Sequence, residues 1–518
     1  MKRSICDGAV NRRNFLSGCA WACAGCAAAK GLVSPSLLWA GEPLGRKPKI
    51  RLIFCEKPVD VPGWPNVGYD FATRRQQILE LLTKGCPDVE FLVARMVDDR
   101  RHTAKILQAD AEVDGYLIYL SGLPWKLDLV KMASTGKPTL IVDNLFGGSG
   151  RLLSSLPKVM VSGKPADWVS SSNDQDIVAS ARYFAMLASG RSAAEVAEAF
   201  RATRRERTST DREGPVKEDT VIGPNMDTTL ATLRDKKILV VGRRVNETFR
   251  KAVQNVFGPS LVPISFKEIA AAYDTTDRKQ GSKMADRWMD SAKEIVEPTR
   301  EEIEKSGTMY VAMKNLIDKH GASGISINCL GGFYGGHLKA YPCLGFRQLN
   351  DDGLVGGCEA DQFSALTMTV FGSMVGRPGF ISDPVMDTSK NQIIYAHCVA
   401  PTKPFGPAGP SSPFRIRSHS EDRKGAAIQS LLPADYLATT LQIDPVARKV
   451  LFHQARTAGN NPSDMACRTK LEGVVQGDIE KLTENWRMGW HRVTFYGDLR
   501  PHAKALCDRL KLKLVEEA

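Results

Sequence analysis

The sequence predicts an α/β fold class: two Rossmann-like parallel α/β domains, followed by a C-terminal mixed α+β domain with a β-barrel-like part. Two stretches, 48–145 and 236–328, alternate short apolar segments with longer segments of helical spacing. This alternation is typical of parallel strands that are joined by crossover helices. The last hundred residues instead mix short strands with a final helix, and residues 330–420 are dense in glycine and proline.

The N-terminal α/β domain is predicted over residues 45–205. Its short apolar segments are the predicted strands Lys49–Cys55, Val89–Val93, Asp114–Leu120 and Pro138–Asp143. Helical spacing over Phe71–Leu82 predicts the crossover between the first two strands. Short apolar strands that alternate with helices indicate a parallel sheet with right-handed connections.

Residues 206–235 are polar and charged, and we predict a linker or insertion there. The second α/β domain is predicted over 236–385 and a β-rich domain over 386–518. Their predicted strands include Lys236–Gly242, Leu261–Ser265, Gly324–Asn328 and Arg492–Tyr496. No glycine-rich turn has the GxGxxG spacing between a strand and a helix, which counts against an exported nicotinamide-dependent oxidoreductase.

Residues 1–40 are predicted to be a twin-arginine signal peptide. A basic start leads into Asn11-Arg12-Arg13-Asn14-Phe15-Leu16, and an apolar run of signal-peptide length follows over Phe15–Ala29. Leu16–Cys19 also has the form of a lipobox, but almost no apolar run precedes it. The leader predicts export by the twin-arginine translocase to the periplasm or another extracytoplasmic location.

Composition excludes several classes of protein. The chain has 518 residues and a net charge of +12, and its basic residues are scattered, which disfavours a nucleic-acid surface. Outside the leader no segment is apolar enough to span a membrane. Eight cysteines lie beyond the leader without any CxxC pair, so we expect mostly buried free thiols. A thiolate metal site that uses Cys358 and Cys398 is the alternative.

The chemistry is concentrated in residues 341–398. Glu359 follows a Gly-Gly pair at the start of an apolar helix, Asp383 follows a predicted short strand, and His397 ends another strand. Taken singly, each has an ordinary interpretation as a helix cap, a surface ion pair or a strand-end histidine. Together they form a set of oxygen and nitrogen ligands that suits Mn²⁺ or a similar divalent ion.

The same segment resembles the catalytic domain of the L-fucose isomerase and L-arabinose isomerase superfamily. The motifs that carry the resemblance are Gly357-Cys-Glu359-Ala-Asp361, Phe380-Ile-Ser-Asp383, Ala396-His397-Cys398 and Gly489-Trp-His491. The resemblance implies that Glu359 and Asp383 bind the metal and exchange protons with the substrate, with His491 as a third ligand. His397 matches a further ligand of the arabinose branch.

This resemblance implies a metal-dependent sugar isomerase that interconverts an aldose and a ketose through an ene-diol, with a small-molecule sugar as substrate and Mn²⁺ as cofactor. It also implies a homo-oligomer. The alternative is a non-catalytic exported carbohydrate-binding protein on the same fold. The two readings differ in whether Glu359, Asp383 and His491 converge within ligand distance. Three aromatic side chains, Tyr334, Trp486 and Trp490, could either stack on a sugar or pack in the core.

Overall fold

The computed structural model describes residues 43–97 and 100–518, so the predicted leader lies outside the described residues. Strands and helices alternate through the first unit. They are β1 (Lys49–Glu56), α1 (Phe71–Gly85), β2 (Glu90–Val97), α2 (Arg100–Gln108), β3 (Gly115–Leu120), α3 (Leu129–Ala133), β4 (Thr139–Asp143), α4 (Ser149–Val161), β5 (Ala166–Val169), α5 (Gln175–Ala181) and α6 (Ala193–Arg207).

The first sheet is fully parallel and has the strand order β2-β1-β3-β4-β5. Helices cover both of its faces. Because successive residues of a strand point to opposite sides of the sheet, each strand supplies side chains that pack against both helix layers. Leu52 and Phe54 pack with Ile78 of α1, whereas Ile53 packs with Leu156 of α4. In such sheets the carboxyl ends of the strands form the edge at which ligands bind.

The second unit repeats this design on a smaller sheet. Its elements are α7 (Met226–Arg234), β6 (Lys237–Val241), α8 (Glu247–Val256), β7 (Ser260–Ile264), α9 (Phe266–Thr275), α10 (Arg278–Ser291), β8 (Glu294–Ile295), α11 (Arg300–His320), β9 (Gly324–Ile327), α12 (Cys329–Tyr334), α13 (Cys343–Asp351), β10 (Val355–Cys358) and α14 (Gln362–Val375). Four of these strands are parallel in the order β10-β9-β6-β7. The two parallel sheets confirm the predicted α/β class.

The third unit is built mainly of antiparallel strands. Its elements are β11 (Phe380–Asp387), β12 (Gln392–His397), β13 (Phe414–Arg417), β14 (Ala427–Ser430), β15 (Leu437–Asp444), β16 (Lys449–Asn460), β17 (Thr469–Val475), α15 (Ile479–Glu484), β18 (Arg492–Tyr496), α16 (Arg500–Leu510) and β19 (Lys513–Glu516). Six strands follow one another as β15-β18-β11-β12-β17-β16, and β16 pairs back to β15, which closes a barrel. The expected barrel-like part is therefore present, and closure leaves no unpaired edge among these six strands.

One hydrophobic core joins the three units. It includes Trp64 and Phe146 from loops of the first unit, Ile327 from the second sheet and Val493 from the barrel. The irregular segment 209–225, within the predicted linker, lies against the barrel and donates the Lys217 N–H to the Asp435 carbonyl. Residues that follow the carboxyl ends of both parallel sheets, such as Phe146 and Ala360, thus pack in a core shared with the barrel.

The structure bears on the expected state of the cysteines and on membrane-spanning helices. The eight cysteines beyond the leader are all buried, and their thiols are outside any disulfide, as expected. Within the described ranges, no helix combines the length and the apolar character that a membrane crossing requires.

Candidate metal centre

Glu359 leaves the carboxyl end of β10 in a constrained backbone conformation. Its φ is 58° and that of Ala360 is 47°, although neither is a glycine. The Ala360 N–H donates to the Ile327 carbonyl at 2.8 Å, and Arg243 donates to the Glu359 and Ala360 carbonyls at 3.2 and 3.4 Å. Left-handed non-glycine residues persist only where their surroundings enforce them, and they cluster at functional sites.

Asp361 connects this turn to helix α14 and to the barrel. Its Oδ1 accepts the Phe363 and Ser364 N–H groups at 3.0 and 3.4 Å, which caps the helix. Its Oδ2 accepts the Ser364 hydroxyl at 2.6 Å and also lies 3.1 Å from Nδ1 of His491. One carboxylate therefore fixes both a helix start and the orientation of an imidazole that precedes β18.

Asp383 lies inside strand β11, opposite Ala396 of β12, and not after a short strand as the sequence predicted. The sequence was misleading because Pro384 usually marks the end of a strand. Here the strand continues through the proline, whose carbonyl accepts the indole N–H of Trp490 at 2.9 Å. His397 ends β12, as predicted.

The four side chains that the sequence singled out converge. One ligand atom from each of Glu359, Asp383, His397 and His491 lies within 4.8 Å of all the others. His491 Nε2 is 3.1 Å from Asp383 Oδ1 and 3.7 Å from Glu359 Oε2. His397 Nε2 is 3.8 Å from Asp383 Oδ2.

The crowding and burial of these side chains shift their pKa values. Burial raises the pKa of Glu359 to about 7, and the Asp383 carboxylate adds to that rise. Burial opposes a charge on His491, but the carboxylates of Asp383 and Glu359 outweigh it and hold the pKa of the imidazole well above its usual range. Burial also opposes ionisation of Asp361, yet its hydrogen bond with His491 lowers the pKa of Asp361 overall.

The donor set suits a divalent metal ion. Carboxylate oxygens and imidazole nitrogens together are common ligands of divalent transition-metal ions. The contact of His491 Nδ1 with Asp361 leaves Nε2 directed at the two carboxylates, the arrangement that orients a metal-binding histidine. A bound cation would replace the protons that the raised pKa values of Glu359 and His491 hold in this cluster.

His397 is arranged differently from His491. Its Nδ1 accepts the Cys398 N–H at 2.8 Å, which places the ring proton of the neutral imidazole on Nε2. That Nε2 is buried and has no hydrogen-bond partner among the described residues. Ligation through Nε2 therefore requires His397 to change tautomer.

The cysteine alternative finds no support in the geometry. Neither Cys358 nor Cys398 contributes an atom to the ligand group found among the described residues. The Cys358 thiol lies 3.1 Å from that of Cys329, and the Cys398 thiol faces the Ser420 hydroxyl at 3.5 Å.

Aromatic side chains from two units meet at Trp490, the residue before His491. Trp490, next to His491, packs edge-on against Trp64 at 4.7 Å between ring centroids and lies 6.1 Å from Trp125. Trp486 is fully buried, with the Arg492 guanidinium over its ring at 3.9 Å, so it belongs to the core. The Tyr334 hydroxyl donates to Glu421 at 3.1 Å.

Sequence reasoning missed two carboxylates beside the cluster. Asp361 carried a signal, because an aspartate three residues before a serine at a helix start is a capping pattern. Glu421 carried none, since it lies in an irregular segment between β13 and β14 and reaches the site only through the fold.

Comparisons with known proteins point to sugar chemistry. No family model matches the chain. It is 24% identical over 269 residues to a sulfoquinovose isomerase of Clostridium sp. (strain MSTE9), covering 50% of this chain and 58% of the relative. It is 26% identical over 216 residues to a sulfoquinovose isomerase of Priestia aryabhattai, covering 40% and 47%. The chain thus spans about half the length of the curated relatives it matches.

A likeness to a solved structure adds nothing to the fold assignment. A carbohydrate transporter from Acidothermus cellulolyticus 11B, solved in complex with myo-inositol, is 12% identical to the chain with a TM-score of 0.17. The alignment covers 56% of this chain and 79% of the transporter chain. The sugar isomerases are therefore the relatives that bear on this chain.

Proposed function

We propose that this protein is a metal-dependent sugar isomerase that interconverts an aldose and a ketose. The observation that carries the proposal is the convergence of Glu359, Asp383 and His491, with His491 oriented by Asp361. The similarity to sulfoquinovose isomerases supports the same chemistry.

Glu359, Asp383 and His491 would hold the ion, which we propose to be Mn²⁺. A divalent metal supplies positive charge that polarises a carbonyl and stabilises negative charge on the neighbouring substrate oxygens. His397 would join the ligands only after its ring proton moves from Nε2 to Nδ1.

The protein's own groups account for the movement of the carbon-bound proton. Aldose–ketose interconversion removes a proton from C2 and returns one to C1. We assign this transfer to Glu359, a carboxylate of the cluster that can accept a proton from one carbon and release it to the other. Trp490, which is partly exposed and packs on the buried Trp64, can offer an apolar face to the carbon side of a sugar ring.

The test is direct. The purified protein is stripped of metal, reloaded with Mn²⁺ and incubated with neutral aldoses and with sulfoquinovose, the sugar that names the relatives, while ¹H NMR follows ketose formation. We expect activity that depends on the metal and is lost in Glu359→Gln. Glu472→Gln, on the barrel strand β17 and outside the cluster, is the matched control.

An inactive but correctly folded protein that still binds sugars would favour the alternative of a non-catalytic carbohydrate-binding protein. Unchanged metal content and activity in Glu359→Gln would show that the site is assigned wrongly. The homo-oligomer and the twin-arginine export expected from the sequence remain separate predictions.

A further inference from the structure

Isomerisation of an aldose moves two protons, and the proposed metal centre accounts for only one of them. One proton leaves C2 and one arrives at C1. In addition, the hydroxyl proton on O2 must leave as C2 becomes a carbonyl, and O1 must gain a proton to become a hydroxyl. A group beside the cluster that is not bound to the metal is well suited to exchange these protons with oxygen.

The segment Ser418–Asp422 packs against the end of β12, next to His397. The Cys398 thiol donates to the Ser420 hydroxyl at 3.5 Å, and Glu421 is the next residue. The loop after β1 holds the Glu421 backbone from the other side, because the Val67 N–H donates to the Glu421 carbonyl at 2.7 Å. The Glu421 carboxylate is thus placed where the first unit meets the barrel.

The two oxygens of Glu421 are not equivalent. Oε2 accepts the Tyr334 hydroxyl at 3.1 Å. No described residue forms a hydrogen bond with Oε1, and Glu421 is only partly buried, so Oε1 is available to a small molecule. A carboxylate held by one oxygen and open at the other has the geometry of a group that receives a substrate hydroxyl.

The charge environment agrees with this position. Burial raises the pKa of Glu421, and the Asp383 carboxylate raises it further, against the opposing effects of His419 and Tyr334. The Glu421 charge in turn contributes to the raised pKa of Glu359. Glu421 therefore lies within electrostatic reach of two members of the cluster, although none of its atoms is in the ligand group.

We propose that Glu421 is a second catalytic residue, which takes the proton from O2 of the sugar and delivers it to O1. This inference rests on the proposed isomerase function. Breaking the O2–H bond leaves its electron pair to form the C2 carbonyl, and the new O1–H bond neutralises the oxygen that was the aldehyde. No oxidant, reductant or further reactant is needed, and Glu421 ends in its starting state. Tyr334 is a positioning residue that holds Oε2.

The experiment separates the two proton transfers. In D₂O, ¹H NMR of the aldose reports loss of the C2 hydrogen, and ketose formation is measured in the same sample. We expect Glu421→Gln to keep C2 exchange and to lose ketose formation by about 10²–10⁴-fold, the usual contribution of one general acid–base group. Metal content, measured by elemental analysis, and sugar affinity, measured by tryptophan fluorescence, should stay within about twofold of the wild type.

Two control variants are compared with Glu421→Gln. Tyr334→Phe should reduce ketose formation less than Glu421→Gln, and Glu472→Gln should change neither readout. If exchange and ketose formation fall together in Glu421→Gln, or if only sugar affinity falls, the proposed role of Glu421 is wrong. If wild-type protein with bound Mn²⁺ shows neither exchange nor ketose, the isomerase proposal fails first and this one with it.

Discussion

Asp361→Asn is the sharpest test of how the metal centre is organised. The substitution keeps the shape of the side chain and keeps one oxygen to cap helix α14, a role that asparagine fills as well as aspartate. What it removes is the carboxylate oxygen at 3.1 Å from His491 Nδ1. An amide N–H directed at Nδ1 favours the tautomer with its proton on Nε2, and Nε2 is the atom that faces Asp383 and Glu359.

The expected size of the effect follows from this contact. Loss of a partner that orients a metal-binding histidine usually weakens metal affinity by roughly 10–100-fold, which corresponds to about 1.4–2.8 kcal/mol. Isothermal titration of the metal-free protein with Mn²⁺ measures this directly. Thermal unfolding without metal shows whether the fold itself has been weakened.

Asp70→Asn is a closely matched control. Asp70 caps α1 through the N–H groups two and three residues ahead, both at 3.0 Å, and accepts the Thr73 hydroxyl at 2.6 Å, as Asp361 does with Ser364. It has no contact with an imidazole. If Asp361→Asn binds Mn²⁺ as tightly as the wild type while both variants unfold at similar temperatures, then His491 is not oriented by Asp361 and the reasoning is refuted.

Three further outcomes are expected. Mn²⁺ affinity should rise as the pH increases through about 7, because protons compete with the metal for Glu359 and His491, whose pKa values are raised. Titrations with Mn²⁺ at several pH values check this, and an affinity that does not change with pH contradicts it. His397→Gln should weaken Mn²⁺ binding less than His491→Gln in the same titration, because the next backbone N–H occupies His397 Nδ1. Gly150→Ala should lower the free energy of unfolding in urea by about 1–3 kcal/mol, since its new methyl would lie 2.6 Å from the Trp490 ring.

Local sequence signals predicted the parallel sheets well. Strand β1 was expected over Lys49–Cys55 and runs over Lys49–Glu56. Helix α1 was expected over Phe71–Leu82 and runs over Phe71–Gly85, and Asp70 caps its N-terminus. Apolar spacing and capping residues define these elements, and both signals can be read from a short stretch of consecutive residues.

Features that depend on contacts between distant parts of the chain were harder to predict from the sequence. Asp383 was predicted to follow a short strand, whereas barrel pairing with residues near 396 and 493 continues that strand through Asp383 and Pro384. The contact of Asp361 with His491 joins residues 130 positions apart. Glu421 shows the same limit, since only the docking of the loop after β1 and the packing on β12 bring it to the site.

Closure of the barrel also sets the order of events during synthesis. Glu359, Asp383 and His397 precede His491 by 132, 108 and 94 positions. Strand β18 directly follows His491 and pairs with β11 and β15. A ribosome-bound chain that stops short of β18 therefore has two exposed strand edges and an incomplete set of ligands. The ligand set of the proposed metal site is consequently complete only when the last barrel strand docks.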